Sequence, residues 1–427
     1  MQQTSIPVER VVGLDAHPDS FTAALVQGPN PRAAIVEKTF DKVPMAQLIR
    51  WAKKHTTPSD LIVLEASGNS FHLARSLRTQ GFKTEVLESA HLGKLKEAHA
   101  NNDKISAVRI AKAYLAGTTK SVWVPDETTQ KRRDWYHAHR KAVELVTALN
   151  NSLLSYLSDN GVRPDKSNSV LKQTQAKTMK WLRSARPWSV SQWQVIEIRL
   201  KDLYHAMESR RLWESLLAQE VAQDPLLLSL VRQTGVRDVV AFALGAVVGD
   251  IKRFAKPPNL VSYVGLNPAF DASGNERWEG GVGGRGHRGL RNLLIESAHS
   301  VLRSREHPLG IRGRKLLARK GELKLVVAAV ARWLLVSIWY QMMGLAEPVG
   351  EISKSLDQKL GVIISRIGKE GLAKLNLTRK DLREQMHQRL KTGRVYLLKP
   401  KGRSPESPPD EDSTQGLQIE LDRVVPA

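Results

Sequence analysis

Three successive β-rich runs open the chain: VERVVGLDA (8–16), FTAALVQ (21–27) and RAAIVEKTF (32–40). Turn-forming residues separate the runs, and apolar and β-branched side chains dominate each of them. Runs of this length with such short connections predict a meander of three antiparallel strands. This stretch decides the fold of the first domain, because the later elements of that domain must pack on its sheet.

After the meander the pattern changes to alternating strands and helices. The predicted elements are a helix at MAQLIRWAKKH (45–55), a buried strand at LIVLEA (61–66), a helix at SFHLARSLRTQG (70–81), a strand at KTEVLE (83–88), a helix at ISAVRIAKAYLAG (105–117) and a short strand at SVWV (121–124). Three antiparallel strands followed by strand–helix alternation is the order of ribonuclease H-like nuclease domains. We therefore predict an α/β domain over residues 1–125.

Acidic residues lie where such a domain would use them. Asp15 lies on the first strand, Glu65 ends the first strand after the meander, and Asp103 opens the last helix. A carboxylate inside an apolar strand is costly unless it is paired or binds a metal. Three converging carboxylates would suit Mg²⁺, which prefers oxygen ligands, and two such ions stabilise the attacking and leaving oxygens of a phosphodiester. In the alternative, the acids merely end strands at solvent or cap a helix; the strand order favours the metal site.

The composition indicates a polyanionic partner. The 427 residues include 65 Lys and Arg against 43 Asp and Glu, a net charge of +22. Such an excess favours nucleic acid, because neutralising phosphates releases counterions. The chain has no cysteine, which excludes disulfides and Cys-ligated zinc. With no signal pattern at the N-terminus, and with the longest apolar run (325–343) interrupted by Arg332, we expect a cytoplasmic protein without a membrane span.

The middle of the chain, residues 126–223, predicts a long helical hairpin. One helix covers residues 127–160, and a second follows Pro187. Its apolar stripe has 4-3-4 spacing, which fits either packing within the hairpin or a dimerising coiled coil. The residues of the stripe are Ile196, Leu200, Leu203 and Met207. Basic residues on the first helix favour a surface that contacts a nucleic-acid backbone over one that is merely solvated. They are Lys131, Arg132, Arg133 and Arg140.

Residues 224–345 predict a second, mainly helical domain. Two short helices flank Gly235, and FDASGNERWEGGVGGRGHRG (270–289) follows with seven glycines. Glycines let a backbone approach a phosphate closely, and the helix behind them adds N–H donors. Ser273 in this loop would offer a hydroxyl to a scissile phosphate, although an ordinary flexible loop has the same composition. The hydroxyl needs activation, and His287 is the nearest histidine. The candidate nucleic-acid contacts here are Arg277, Arg285, His287, Arg288 and Arg291.

These residues together resemble the bacterial insertion-sequence transposases of the one-ten family. The family is also called DEDD transposases or bridge-RNA-guided serine recombinases, and the pilin-gene invertases are relatives. The resemblance covers about residues 8–345. It is carried by VVGLDAH, VLEASGN and NNDKISAVRIA in the first domain, and by NLVSYVGLNP followed by ASGNERWEGGVGGRGHRGLRNLL in the second.

The resemblance implies a RuvC-like ribonuclease H-fold domain, a coiled-coil linker and a mainly helical transposase domain with a catalytic serine. Asp15, Glu65 and Asp103 would be both metal ligands and catalytic residues, with Mg²⁺ as the cofactor. Ser273 would attack DNA and form a covalent 5′-phosphoserine intermediate. A structured bridge RNA would pair with donor and target DNA. Dimers would assemble into a tetramer whose composite sites join the RuvC-like domain of one subunit to the serine of another.

One position departs from the family pattern. A fourth acid is expected three residues after the third, on the same helix face, and Ser106 stands there. Either three carboxylates suffice, or another acid substitutes, or the chain is impaired. Asp19 would keep the strand parity of Asp15 only if the first strand continued that far.

The resemblance ends near residue 345. Residues 346–398 predict a helical extension that either contacts nucleic acid or is inert, and residues 399–427 a disordered tail. The expected function is an RNA-guided recombinase that moves its own element. The alternatives are a protein-guided DNA invertase, a metal-dependent nuclease or Holliday-junction resolvase in which Ser273 is structural, and a basic scaffold without catalysis.

Overall fold

The computed structural model describes residues 10–89, 103–165, 169–273, 276–282, 286–351 and 353–393, with the backbone alone over 268–282. The predicted disordered tail at 399–427 lies outside the described residues. The chain divides into two compact units, residues 1–128 and 129–427.

The first unit is a mixed α/β structure. Its elements are β1 (Arg10–Ala16), β2 (Ser20–Gln27), β3 (Ile35–Pro44), α1 (Leu48–His55), β4 (Leu61–Glu65), α2 (Ser70–Thr79), β5 (Lys83–Leu87), α3 (Asp103–Leu115) and β6 (Ser121–Val122). The strands form one sheet in the order β3-β2-β1-β4-β5-β6. The first three strands pair antiparallel, β4 and β5 pair parallel to β1 and to each other, and β6 is antiparallel. The predicted meander and strand–helix alternation are both present.

The alternation of side chains along β1 divides the core into two layers. Val12 and Leu14 pack on the side of α1 and α2, where Trp51 and Leu77 lie. Val11 packs on the opposite side with Ile110 and other apolar residues of α3. Because successive side chains of a strand point to opposite faces, Gly13 and Asp15 share the α3 side.

At Gly13 the helix α3 lies directly on the strand. A Cβ atom at Gly13 would come within 1.9 Å of the Ala107 carbonyl oxygen. A contact that short is impossible for a real side chain, so β1 and α3 can approach this closely only over a glycine.

The second unit is mostly helical. Its elements begin with α4 (Glu127–Asp159), which starts at the end of the first unit, and continue with α5 (Gln175–Ala185), α6 (Val190–Gln223), α7 (Pro225–Leu230), α8 (Asp238–Val248), α9 (Pro257–Val264), β7 (Pro268–Ser273), β8 (Glu276–Val282), α10 (Arg288–Arg303), α11 (Pro308–Lys320), α12 (Leu323–Met342), α13 (Ser353–Lys374) and α14 (Arg379–Gly393). The two long helices and the pair flanking Gly235 were predicted. Helix α5 was not, because it lies in a stretch rich in Lys, Gln and Thr.

The apolar stripe of α6 is buried within a single chain. Ile196, Leu200 and Leu203 are each 0% exposed and pack with Leu153 and Leu157 of α4. The stripe therefore serves packing within the hairpin, and for these residues the dimerising alternative is wrong.

One helix is long and apolar enough to cross a membrane by length and composition alone. This helix, α12, is largely buried in the core of the second unit. Arg332, which interrupts its apolar run, donates from Nε and Nη2 to the Leu266 carbonyl oxygen, at 3.1 and 3.0 Å. The structure thus uses α12 as a core helix, as predicted from the interrupting arginine.

The two C-terminal helices belong to the same core. Leu360 and Ile363 of α13 and Leu382 and Met386 of α14 are fully or almost fully buried there. Helix α13 is broken at Gly368, where φ is 70°. Over its described residues, the extension is therefore part of a folded core rather than a tail, and its contact with nucleic acid stays a prediction.

We predict that Gly13→Ala lowers the free energy of unfolding of the first unit by about 2 kcal/mol or more, because overpacking here meets backbone rather than a movable side chain. Hydrogen exchange of the β1 and β4 amides in the full chain measures this. The matched control is Gly68→Ala, where a Cβ would meet no atom within 4 Å and the expected change is under about 0.5 kcal/mol. Equal protection in both variants would contradict the close approach.

Candidate active site

The carboxyl ends of β1 and β4 carry the first two predicted acids. Leu14 pairs with Leu64 in the parallel register of these strands. Asp15 and Glu65 each follow by one residue, so both point to the α3 side of the sheet. Both are partly buried, and each makes interactions with other residues of the protein.

The third acid reaches the same edge through the packing of α3. Ala107 lies over Gly13, and Asp103 precedes Ala107 by four residues, about one helical turn. Asp103 therefore lies on the face of α3 that carries Ala107, displaced toward the helix N-terminus, where it meets Asp15.

A group of possible metal ligands results. One ligand atom from each of Asp15, His17 and Asp103 lies within 4.8 Å of the others, and His17 Nε2 is 3.6 Å from Asp103 Oδ1. Among the described residues Glu65 is not a member of this group. The structure thus brings Asp15 and Asp103 together, leaves Glu65 on the same face, and adds a histidine.

His17 was missed because a histidine in a turn gives no signal by composition. Its backbone is held in place: its N–H donates to the Ser20 carbonyl at 2.9 Å, and its carbonyl accepts from Asn69 Nδ2 at 3.1 Å. The available signal was the spacing, since His17 follows Asp15 by two residues and lies just past the end of β1.

Two carboxylates and one imidazole fit a divalent cation. Carboxylates suit Mg²⁺ and Mn²⁺, whereas an imidazole favours softer ions such as Mn²⁺ or Zn²⁺ over Mg²⁺. The donor set is therefore compatible with metal binding, without selecting one metal.

The position of the expected fourth acid is on the helix face of Asp103. Ser106 is partly exposed there and offers only a neutral oxygen. Asp19 does not replace it by extending the strand, because β1 ends at Ala16 and Asp19 is exposed in the turn before β2.

The serine predicted as nucleophile belongs to the second unit. The stretch that we interpreted as an open loop is in part a β-hairpin, in which β7 pairs antiparallel with β8. Ser273 is the last residue of β7 and faces Glu276 across the turn. Arg277 follows on β8, and Arg285 lies outside the described residues. The interpretation as a wholly open loop was wrong because glycine and polar content also occur in short hairpins.

Glycines of this stretch serve a close backbone approach. At Gly286, φ is +96°, and a Cβ would lie 2.6 Å from the Gly265 backbone nitrogen. Only glycine combines that dihedral with that contact. Arg291 Nη1 donates to the carbonyl oxygen of the same Gly265 at 3.3 Å, so this part of the chain is fixed just before α10.

His287 caps α10 rather than serving as a free base. Its Nδ1 accepts from the Leu290 N–H at 3.1 Å, which places the ring proton on Nε2. Burial lowers the pKa of His287 below its usual value, and the charges of Arg140 and Arg133 act in the same direction. A neutral imidazole with its acceptor occupied has no lone pair with which to take a proton from Ser273.

The basic residues predicted on α4 have different surroundings. Arg132 is 13% exposed and pairs with Glu220 at 2.9 Å and Asp224 at 2.5 Å. Lys131 also pairs with Glu220, at 3.1 Å, but keeps nearly half of its side chain exposed. Arg133 Nε donates to the Ala246 carbonyl at 3.1 Å. Arg132 thus holds α4 to α6 and is not available as an open phosphate contact.

Arg140 lies further along the same helix. It pairs with Glu144 at 3.1 Å, four residues on, and 40% of its side chain is exposed. Together with Arg288 it lines a groove beside α10, so these two predicted nucleic-acid contacts are accessible.

Two family models match the chain in the order of its units. Residues 12–160 match a transposase model of the DEDD type of IS110, and residues 229–310 match the model described as "Transposase IS116/IS110/IS902 family". The first match covers Asp15, Glu65 and Asp103, and the second covers Ser273. The six-stranded sheet is compatible with the ribonuclease H-like domain of such transposases.

Individual relatives agree with the models. The chain is 24% identical over 238 residues to "Putative transposase y4qE" of Sinorhizobium fredii, a match that covers 55% of this chain and 56% of that protein. It is 24% identical to "Probable family 20 transposase" of Pseudomonas aeruginosa, covering 64% and 81% of the two chains. It is 23% identical to "Transposase for insertion sequence element IS1111A" of Coxiella burnetii, covering 62% and 73%.

The two models together match more than half of the chain, and the relatives bear transposase names. A transposase is an enzyme that acts on DNA. The chain belongs to the IS110/IS116 family of transposases.

Proposed function

We propose that this protein is an RNA-guided recombinase that cuts and rejoins DNA through a covalent phosphoserine and so moves its own insertion sequence. The observation that carries the proposal is the convergence of Asp15 and Asp103, joined by His17, at one edge of a sheet of nuclease type. An acid cluster of this kind supports metal-assisted chemistry, and the membership of a transposase family supports DNA as the substrate.

The proposed chemistry conserves the phosphodiester bond energy. The Ser273 oxygen forms a bond to a backbone phosphorus, the bond from that phosphorus to the 3′ oxygen breaks, and the departing 3′ oxygen takes a proton. A 3′ hydroxyl of another strand then attacks the phosphoserine, and Ser273 leaves as a hydroxyl. No ATP is needed, because each bond formed replaces one of the same kind.

In the first unit Asp15 and Asp103 would hold Mg²⁺, with His17 as a further ligand and Glu65 on the same face. The ion would supply positive charge to the phosphate oxygens as charge develops on them. Ser273 belongs to the second unit, so the proposal requires the two units, from one chain or from two, to form one site on DNA. We propose a dimer that assembles into a tetramer for this purpose.

Guidance by a structured RNA is supported by the family resemblance and by the net charge of +22, which suits two nucleic-acid partners. A protein of this type would work in the cytoplasm, on the nucleoid.

A metal-dependent nuclease is the second candidate, and the location of the acids favours it. The ligand group is complete within the first unit, and the name of the matching model refers to acidic residues rather than to a serine. In that case Asp15, His17 and Asp103 would hold a metal that would activate water for hydrolysis, and Ser273 would be structural.

We predict that Ser273→Ala abolishes strand transfer while DNA affinity stays within about twofold of wild type, because only the nucleophile is lost. The readout is protein covalently trapped on nicked DNA after denaturation. The control is Ser262→Ala, which changes an exposed serine of α9. This variant should form the covalent complex with DNA as wild type does. A nuclease that uses metal-bound water would leave DNA cleavage intact in Ser273→Ala with no trapped protein in any variant.

We predict that Asp15→Asn and Asp103→Asn each reduce strand transfer at least about 100-fold and abolish Mn²⁺ binding measured by calorimetry, because each removes a charged ligand. His17→Ala should weaken Mn²⁺ binding more than Mg²⁺ binding, since an imidazole favours the softer ion. The control is Asp19→Asn in the exposed neighbouring turn. Strand transfer that persists in excess chelator would refute the metal proposal.

We predict that the wild-type protein, expressed with its flanking element DNA, copurifies with RNA of one defined length transcribed from that DNA. Sequencing the bound RNA is the measurement. Expression without the flanking DNA is the control, and it should yield only heterogeneous RNA held by charge. Recombination by RNA-free protein would instead identify a protein-guided invertase.

A further inference from the structure

A groove of about 370 Å³ runs between α4 and the first turn of α10 in the second unit. Tyr136 and Arg140 line it from α4, and Arg288, Gly289 and Asn292 line it from α10. It contains polar groups from two helices that are far apart in sequence. The groove is distinct from the acid group of the first unit.

A buried hydroxyl lies at the edge of this groove, against Gly289. Tyr136 is 5% exposed, and its OH has no hydrogen-bond partner among the described residues. The OH lies 3.1 Å from the point that a Cβ of Gly289 would occupy. A buried polar group without a partner is destabilising, so a hydrogen-bond acceptor bound here would stabilise this hydroxyl. Burial raises the pKa of Tyr136 to about 12, which keeps the hydroxyl protonated and able to donate.

A guanidinium lies at the same point. Arg140 Nη1 is 2.9 Å from the Cβ position of Gly289, so Arg140 and Tyr136 both pack against Gly289, which they can do because residue 289 has no side chain. Glu144 pairs with Arg140 at the rim and is half exposed. A more highly charged anion inside the groove would compete with Glu144 for the guanidinium.

The first turn of α10 completes the set of donors. Gly289 is the second residue of this 16-residue helix, and the first N–H groups of a helix point along its axis toward an incoming ligand. The capping by His287 uses the Leu290 N–H, and the Tyr136 ring stacks on the His287 ring at 6.3 Å. His287 thus fixes the start of α10 through its hydrogen bond, and it packs against Tyr136 through its ring.

We infer that this groove binds one backbone phosphodiester of the DNA substrate. Tyr136 OH, Arg140, Arg288 and the N–H groups at the start of α10 donate to its non-bridging oxygens. The groove carries positive charge and hydrogen-bond donors, which is the chemistry that recognises a phosphate. The inference rests on the proposed function only in taking DNA as the source of the phosphate.

The test measures affinity for a fluorescent DNA duplex of about 30 base pairs, by anisotropy over a series of salt concentrations, with full-length protein. Arg140→Gln and Arg288→Gln should each reduce the slope of log affinity against log salt by about 0.9, because each neutralises one phosphate contact. Tyr136→Phe should weaken binding about 5- to 10-fold, as expected for a hydrogen bond to a charged group, with an unchanged slope and unchanged Tm. Gly289→Ala, which puts a methyl group into the groove, should weaken binding with no change of charge.

Matched controls lie outside the groove. Tyr156→Phe changes another tyrosine of α4, and Arg211→Gln changes an arginine of α6 that pairs with Glu208 at 2.8 Å. Both should bind DNA within about twofold of wild type. A loss as large in the controls as in the groove variants would show that only total charge matters and would overturn the site.

Further outcomes separate this site from the proposed function. If all four groove variants bind DNA as tightly as wild type while Ser273→Ala still loses strand transfer, the proposed function stands and the groove is not a phosphate site. If the same variants lose affinity for an RNA duplex but not for DNA, the assignment to DNA is overturned. Wild-type protein that binds no DNA would overturn both.

Discussion

The contact between β1 and α3 at Gly13 is the constraint on which the candidate active site depends. With the helix backbone resting on the strand at Ala107, the first turn of α3 is carried over the end of β1. Asp103 is thereby brought to Asp15. A bulkier residue at position 13 would lift the helix, and both carboxylates would remain on the surface as separate, solvated groups.

In the second unit, some of the basic side chains are buried and paired within the protein. Arg232 is 8% exposed and pairs with Glu347 and Glu351. Lys359 Nζ donates to the carbonyls of Val231 and Gln233. Burial lowers the pKa of Lys359 to about 8. A net charge therefore overstates the charge offered to nucleic acid, and the accessible cations must be identified one by one. Arg140 and Arg288 are accessible; Arg132 is not.

The sequence predicted the fold well where the signal is local. Alternating apolar runs, glycines after helices and the order of strands and helices gave the sheet topology and the long helices, and the spacing of Ile196, Leu200 and Leu203 gave the buried stripe. Contacts between residues that are far apart in the sequence could not be predicted in this way. Arg132 belonged to a basic cluster by sequence, yet its partners lie about 90 residues further along. His17 needed knowledge of where β1 ends, and α5 was not predicted because polar residues predominate in its sequence.

The same limit applies to the candidate site. The acids could be proposed because a charged residue in an apolar strand is conspicuous, whereas Tyr136 is an ordinary aromatic residue until its hydroxyl is found against Gly289. The buried stripe of α6 has a different consequence. Since Ile196, Leu200 and Leu203 are covered by helices of their own chain, a newly synthesised copy can complete its hairpin before it meets another copy. Folding of the linker therefore does not require a second copy, and this stripe is not the face through which the proposed dimer would form.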